Sequence, residues 1–378
     1  MSYLSIFLKF LRFGCLAWGG PVAQINMLRE DLVEREKWIE KDKFKRVLAV
    51  YQALPGPEAH ELCVYFGMVK ARRIGGLLAG LGFMLPGLVL MLLLAWAYLS
   101  FGSHMLTWFA GVAPAVTALI FRAAHRIGGH VIHGASLWIA ALLSVALTLL
   151  GVHFAIIFII CAAWQGLWAA GHKRTGIATL IISSIAAVFL LHFIPSADAT
   201  ISTASEGGLF TEGLKAGMLS FGGAYTVIPF LKESMVGIYS GVTTQSFLDG
   251  IALSNVIPAP LVIFGTFLGF MAGGFWGALL VTAGIFLPAF AITLVGHKQL
   301  EKIINNPALH GMLDGISAGV VGLLAITALE IFLQSVTGLW QGVIFAGALA
   351  GLYLFKQKWF IPVLIIACAI AGQLFMLF

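Results

Sequence analysis

Gln52-Ala53-Leu54-Pro55-Gly56-Pro57 returns later in the chain as Asn255-Val256-Ile257-Pro258-Ala259-Pro260, at an offset of 203 residues. Working upstream at that offset, Arg12–Pro57 lies over Lys215–Pro260 without a gap. Trp18-Gly19-Gly20 falls on Phe221-Gly222-Gly223, Glu30 on Glu233, Phe44 on Phe247 and Ala49 on Ala252. Of the 46 positions 12 are identical, and Arg12/Lys215 and Arg29/Lys232 preserve charge. Chance agreement among apolar residues does not put Gly-Gly, Glu and Pro-x-Pro into one register, so the chain is a duplication. Downstream, Phe83-Met84-Leu85-Pro86 matches Ile285-Phe286-Leu287-Pro288 after a one-residue deletion.

The solvent around these repeats is lipid. Hydrophobic residues make up 60% of the chain and charged residues 10%, where soluble domains carry roughly a quarter charged residues. At about 20 apolar residues per crossing, 378 residues leave room for about ten segments. The clearest are Ile74–Phe101, Leu106–Phe121, Ser136–Gly151, Val152–Ala170, Gly176–Ile194, Phe275–Gly296, Gly311–Leu329, Leu339–Phe355 and Trp359–Phe378. Met1–Gly20 lacks the pattern of a cleavable signal peptide. Cys15, Cys63, Cys161 and Cys368 are scattered, with neither metal spacing nor a disulfide framework. The net charge of +6 sits in short loops between apolar runs, which suits orientation in the bilayer rather than a nucleic-acid partner.

Those loops set the topology. Basic clusters at Arg29–Arg46, Lys70–Arg73, Arg122–His133, His172–Arg174, His297–Lys302 and Lys356–Lys358 all belong in the cytoplasm by the positive-inside rule. That requires Phe44–Val69 to enter and leave on one side. Pro55-Gly56-Pro57 divides it into halves of about 12 residues, each about 18 Å long against about 30 Å of hydrocarbon. Ser5–Leu28, broken at Gly19-Gly20-Pro21, reads the same way. Five crossings then separate the two hairpin pairs, so the second pair enters from outside. In agreement, Ser196–Gly208 carries Asp198 and Glu206 and no Lys or Arg. The predicted fold is an all-α polytopic membrane protein of two inverted structural repeats, with broken, re-entrant helix hairpins at the repeat interface. Residues 1–200 form the first half (core repeat about 5–130) and 201–378 the second (core about 208–335), each with auxiliary transmembrane helices. A parallel duplication with fully spanning broken helices is the competing arrangement.

Broken backbone at membrane depth is tolerated where it is buried in protein or lines a watery cavity, and open helix N-termini bind anions. The expected substrate site therefore takes Gly19, Gly20, Gly222 and Gly223, the loops Pro55, Gly56, Pro57, Pro258 and Pro260, and the amides Gln52 and Asn255. Arg12 and Lys215, one cation per half, are the expected charge partners of a doubly charged oxyanion; snorkelling to the interface is their simpler role. Glu58, His60 and Glu61 have no charged counterparts at Leu261, Ile263 and Phe264, and are candidates for proton coupling or gating. A helix-start preference is the rival account of Glu58. Glu30 and Glu233 read as loop-side ion-pair partners. Gly75-Gly76, Gly80 and Gly273-Gly274 read as close-packing positions. No metal site, cofactor or catalytic residue is expected, and the phosphate-cradling loop of ATP-driven pumps is missing from the sequence.

At Phe13-Gly14-x3-Trp18-Gly19-Gly20-Pro21, Trp38-x5-Phe44 and Gln52-Ala53-Leu54-Pro55-Gly56-Pro57-Glu58-Ala59-His60-Glu61-Leu62 the chain resembles the chromate ion transporter family in its long, two-domain form. Gly75-Gly76-x5-Gly82-Phe83-Met84-Leu85-Pro86-Gly87 and Phe221-Gly222-Gly223-Ala224-x4-Pro229 extend the resemblance, which runs from Phe7 to about Glu330. It implies secondary active export of chromate from the cytoplasm, coupled to the proton motive force and conferring resistance, from a bacterial-type inner membrane. The family's basic residue before Gly-Gly-Pro maps onto Arg12. Sulfate, a similar tetrahedral dianion, is the expected competitor or alternative substrate, with uptake of such an oxyanion as the alternative function. A membrane-embedded enzyme or a structural protein finds no supporting motif. Protons and the lipid bilayer are the other expected partners, with a homodimer as the common assembly.

Overall fold

Lipid offers no hydrogen bonds, so backbone within it must be helical or sheltered by protein. The computed structural model describes residues 2–101, 111–191, 206–221, 224–304, 307–355, 357 and 359–376, and these are helical with short connections. The first half comprises α1 (Tyr3–Cys15), α2 (Gly20–Leu28), a π-helical turn at Arg29–Arg35, α3 (Lys41–Ala53), the long bent α4 (Glu58–Phe101) and α5 (Val112–Val131). Then come α6 (Ala135–Leu149), α7 (Phe154–Ala169) and α8 (Lys173–Leu191). The second half repeats the series as α9 (Glu206–Leu219), α10 (Val227–Met235), α11 (Thr244–Val256), bent α12 (Phe264–Ile304) and α13 (Pro307–Ser335), closed by α14 (Leu339–Leu354) and α15 (Phe360–Met376). Among the described residues Glu58–Phe101, Leu261–Gly296 and Leu309–Ser335 are long and apolar enough to cross a membrane. Trp96, Leu142, Ile182, Trp276 and Val363 project outward and exposed, a surface that suits acyl chains rather than water. The protein is an all-α polytopic membrane protein.

The duplication is visible in the backbone. Inside α4 the chain turns at Ala71 (φ −147°, ψ 36°) and Arg72 (φ 54°, ψ −152°); inside α12 it turns at Gly273 (φ −147°, ψ 24°) and Gly274 (φ 63°, ψ −152°). The four angles agree to within 12° at the matched positions. Gly273-Gly274, expected as a packing pair, thus forms a helix break, and a Cβ on Gly274 would meet open space. The close crossings are also paired. A Cβ on Gly82 would lie 2.7 Å from the Phe7 carbonyl oxygen, and one on Gly284 would lie 2.5 Å from that of Phe210. Gly14 meets the Phe83 carbonyl as Gly217 meets that of Ile285, both at 2.5 Å or less. Small residues let α1 dock on α4, and α9 on α12, backbone to backbone.

The halves interlock at their breaks. The Gly56 N–H donates to the Ser220 carbonyl at 3.2 Å, where Pro55 forms an isolated antiparallel bridge with Phe221. In the opposite sense, buried Gln24 donates through Nε2 to Ala17 O (2.9 Å) and to Ala259 O (3.1 Å) of the second proline loop. Each proline loop therefore meets the broken segment of the other half. The auxiliary helices cross over as well: α6 and α7 pack on α13, whereas α14 and α15 pack on α5.

One expectation shifts. The basic cluster Arg122–His133, read as a loop following a span ending at Phe121, is helical through Val131, because Gly128-Gly129 does not interrupt a run that α14 and α15 support from outside. The residues before Gly111 in that expected span, most of the Ser196–Gly208 linker, His192, Lys356 and Lys358 lie outside the described residues.

Candidate functional site

Gly19 (φ 87°) and Gly20 (φ 76°) hold left-handed backbone, which glycine adopts without Cβ strain. They end the α1 segment and start α2, with Pro21 in its first turn; proline fits there because the first N–H groups of a helix have no internal acceptor. A Cβ on Gly20 would meet nothing within 4 Å. The open space is a cavity of about 440 Å³ lined by Gly19, Gly20, Asn26, Arg122, Arg126 and Tyr225 among others. At about 30 Å³ per liquid water, it has room for an oxyanion with part of its hydration shell.

Arg122, Arg126 and His130 follow one another at four-residue spacing on α5, so they share a helix face, and all three line this cavity. Among the described residues no carboxylate lies within ion-pair distance of either arginine. The Arg126 guanidinium stands 5.7 Å from the ring centroid of buried Tyr225, a cation–π contact that positions it without neutralising it. Two half-exposed guanidiniums beside the N-terminal turn of α2 give a positive recess in which neither is ion-paired among the described residues.

Two smaller cavities adjoin it through shared lining residues. One of about 210 Å³ includes Pro21, Gln52, Glu58, Arg126, His130 and Tyr225. The other, about 20 Å³, includes Gly19, Gly20, Tyr225, Ser254, Asn255 and Ala259. The predicted Gly19, Gly20, Gln52, Asn255 and Glu58 therefore come together around Arg126 and Tyr225. Asn255 donates its amide to Ile251 O at 2.8 Å, tying it to its own helix. Gly56, Pro57, Pro258 and Pro260 are buried around the interlock, with Pro55 at its bridge.

Other predicted residues stand apart. Arg12 is exposed, and Lys215 is exposed and donates to Glu212 at 2.8 Å; neither lines any of the three cavities. Gly222 and Gly223 lie outside the described residues. His60 and Glu61 are fully buried, below Glu58 on the first turns of α4. The His60 ring sits edge-on to Phe286 and Phe290, at 4.9 Å and 4.7 Å between centroids. Glu61 faces the loop, since a Cβ on Gly56 would lie 2.9 Å from Glu61 Oε1. Both Glu61 oxygens and Glu58 Oε2 lack a hydrogen-bond partner in this structure. Glu30 makes no ion pair among the described residues, whereas Glu233 sits beside a pair formed by its neighbour Lys232 with Glu330.

Sequence reasoning missed Arg122, Arg126, His130 and Tyr225 as lining residues. The spacing of the first three was a legible helix face, hidden by the assumption that a basic cluster must be loop. Tyr225 faces Val22 in the repeat register, so the duplication offered no signal for it.

A family model described as chromate transporter matches residues 4–168 and 207–373. The chain is 46% identical over 386 aligned residues to the chromate transport protein of Pseudomonas aeruginosa, covering 99% of this chain and 92% of that one. It is 31% identical to the chromate transport protein of Cupriavidus metallidurans, covering 97% and 92% respectively. No solved structure matches.

Proposed function

The chain belongs to the chromate transporter family, and we propose that it is a secondary active transporter that exports chromate from the cytoplasm across a bacterial-type inner membrane, driven by the proton motive force. The observation that carries this reading is the recess holding Arg122 and Arg126 beside an open helix start, with neither in an ion pair among the described residues. A tetrahedral dianion supplies the two negative charges that the pair lacks. Charge-assisted hydrogen bonds from two guanidiniums are directional, and Gly19-Gly20 allows the ligand close to the backbone.

The recess sits at the end of α5 that the positive-inside rule assigns to the cytoplasm, so it is the loading side for export. Glu58, on the neighbouring cavity with Arg126, is the candidate proton carrier, and His60 and Glu61 continue the titratable run into the α4–α12 interface. Ionised Glu58 is a rival of the anion for Arg126, so its charge state sets how firmly the recess holds its ligand. The interlocked breaks of two inverted halves supply the surface across which access alternates. Resistance to chromate follows in a cell that exports it faster than it enters.

The test is uptake of labelled chromate by inside-out proteoliposomes. Arg126→Ala is expected to lower uptake at least about a hundredfold, as loss of a charge-assisted contact of about 3 kcal/mol implies, and Arg122→Ala to lower it as well. Excess unlabelled sulfate competes if the recess reads only charge and shape. Wild-type protein that moves no chromate under either polarity of pH gradient sinks the proposal.

A further inference from the structure

A second cavity, of about 410 Å³, lies between α10, α13 and the α6–α7 turn. It is the repeat-related partner of the arginine recess. At an offset of 204, Leu119, Arg122, Ala123, Arg126 and His130 fall on Leu323, Ile326, Thr327, Glu330 and Gln334. Every member of each series lines its own cavity. The register is fixed independently by packing. A Cβ on Gly111 would lie 2.1 Å from the Cys368 carbonyl oxygen of α15, and one on Gly315 would lie 2.2 Å from that of Cys161 on α7. Gln357 of the α14–α15 connection and Ile361 of α15 close the first recess as Val152 of the α6–α7 connection and Phe154 of α7 close the second.

The two differ in charge. Where the first recess has Arg122, Arg126 and His130, the second has Ile326, Glu330 and Gln334. Its cation is Lys232 of α10, whose Nζ donates to Glu330 Oε2 at 2.5 Å, and Glu233 stands beside it. Two carboxylates to one ammonium leave this recess net negative, against a net positive first recess.

We propose that the second cavity is the release vestibule of the anion path, open to the membrane face opposite the arginine recess, and that the Lys232–Glu330 ion pair is its gate. The inference rests on the transport reading and adds to it the exit and the residues that hold it. An oxyanion arriving from the interlocked breaks meets Lys232 as its last cationic partner and must displace Glu330 to engage it. Glu330 and Glu233 then repel the bound dianion, so residence at Lys232 is brief and return is disfavoured. Loading where charge is positive and unloading where it is negative gives the path a direction before any gradient acts.

His130 and Gln334, the matched mouth positions, are both exposed. Each is replaced by Cys in a Cys15→Ala background, since Cys15 is the exposed cysteine and Cys63, Cys161 and Cys368 are buried. Variants that elute monodisperse are labelled in sealed vesicles of known polarity with a membrane-impermeant maleimide. The expected result is labelling of His130→Cys from one face and of Gln334→Cys from the other. Labelling of both from the same face, or of Gln334→Cys from neither, overturns the proposal; labelling does not require transport, so this failure is separate from that of the transport reading, which the flux of the wild-type protein reports. With chromate as the protecting anion, adding Glu330→Gln is expected to lower the concentration that protects Gln334→Cys about tenfold, because a competing charge is gone. Adding Lys232→Gln is expected to abolish protection. Protection unchanged by both substitutions removes the ion pair from the gate.

Discussion

Glu58 occupies a place where the two halves of the duplication stop agreeing chemically. Its counterpart is Leu261, yet both follow a Pro-x-Pro loop and both are buried. A carboxylate at a helix start gains from the helix dipole, and that alone would explain it if it faced solvent. It instead lines a cavity with Arg126, with one oxygen unpartnered. If Glu58 carries the coupled proton, Glu58→Gln in proteoliposomes keeps exchange of labelled chromate across a gradient-free membrane but loses its acceleration by an imposed pH gradient. Acceleration of wild-type size in Glu58→Gln takes that residue off the proton path. At this scale much was legible. Gly19, Gly20, Gln52, Asn255 and Glu58 were marked by motif and meet in space. Arg12 and Lys215 were marked by symmetry and do not join them, because both side chains are exposed on the outer face of their helices. Repeat symmetry marks what both halves share, whereas Arg122 and Arg126 have Ile326 and Glu330 as counterparts and so leave no symmetric trace.

Among elements, the bends inside α4 and α12 are the most informative. Both halves use the same dihedrals, but the first places Arg72 (φ 54°, ψ −152°) where the second places Gly274. That region is essentially reserved for glycine, and a side chain there costs on the order of 1–3 kcal/mol. Arg72→Gly is therefore expected to raise the thermal midpoint in detergent, by about 1 kcal/mol of stability after glycine's greater unfolded entropy is subtracted. Gly274→Ala is expected to lower it by a comparable or larger amount. A drop with Arg72→Gly would mean that the guanidinium contributes more than the strain costs. The breaks at Gly19-Gly20 and at the proline loops were readable because glycine and proline announce themselves. The bend at Ala71-Arg72 was not, since neither residue signals a break, and only comparison with Gly273-Gly274 could have exposed it.

For the whole molecule, the telling feature is that α6 and α7 pack on the second half's α13 while α14 and α15 pack on the first half's α5. Neither half, cut between residues 200 and 201, contains its own flanking helices. Separately expressed halves are expected to be degraded or aggregated, and co-expressed halves to co-purify and restore chromate flux. A first half that is monodisperse alone would show that the exchange of helices is dispensable. The duplication and membrane class were plain from the sequence, because composition and register survive without coordinates. Which auxiliary helix covers which core was not, since all of them are apolar and nothing in a lipid-facing helix names its neighbour.

The crossed helices also bear on synthesis. Gln357 and Ile361, which rim the arginine recess, follow Arg122 and Arg126 by more than 230 residues in the chain. A nascent product that stops short of them therefore carries Arg122 and Arg126 in an unfinished trough. The recess is complete only once helices made much later have clasped the half made first.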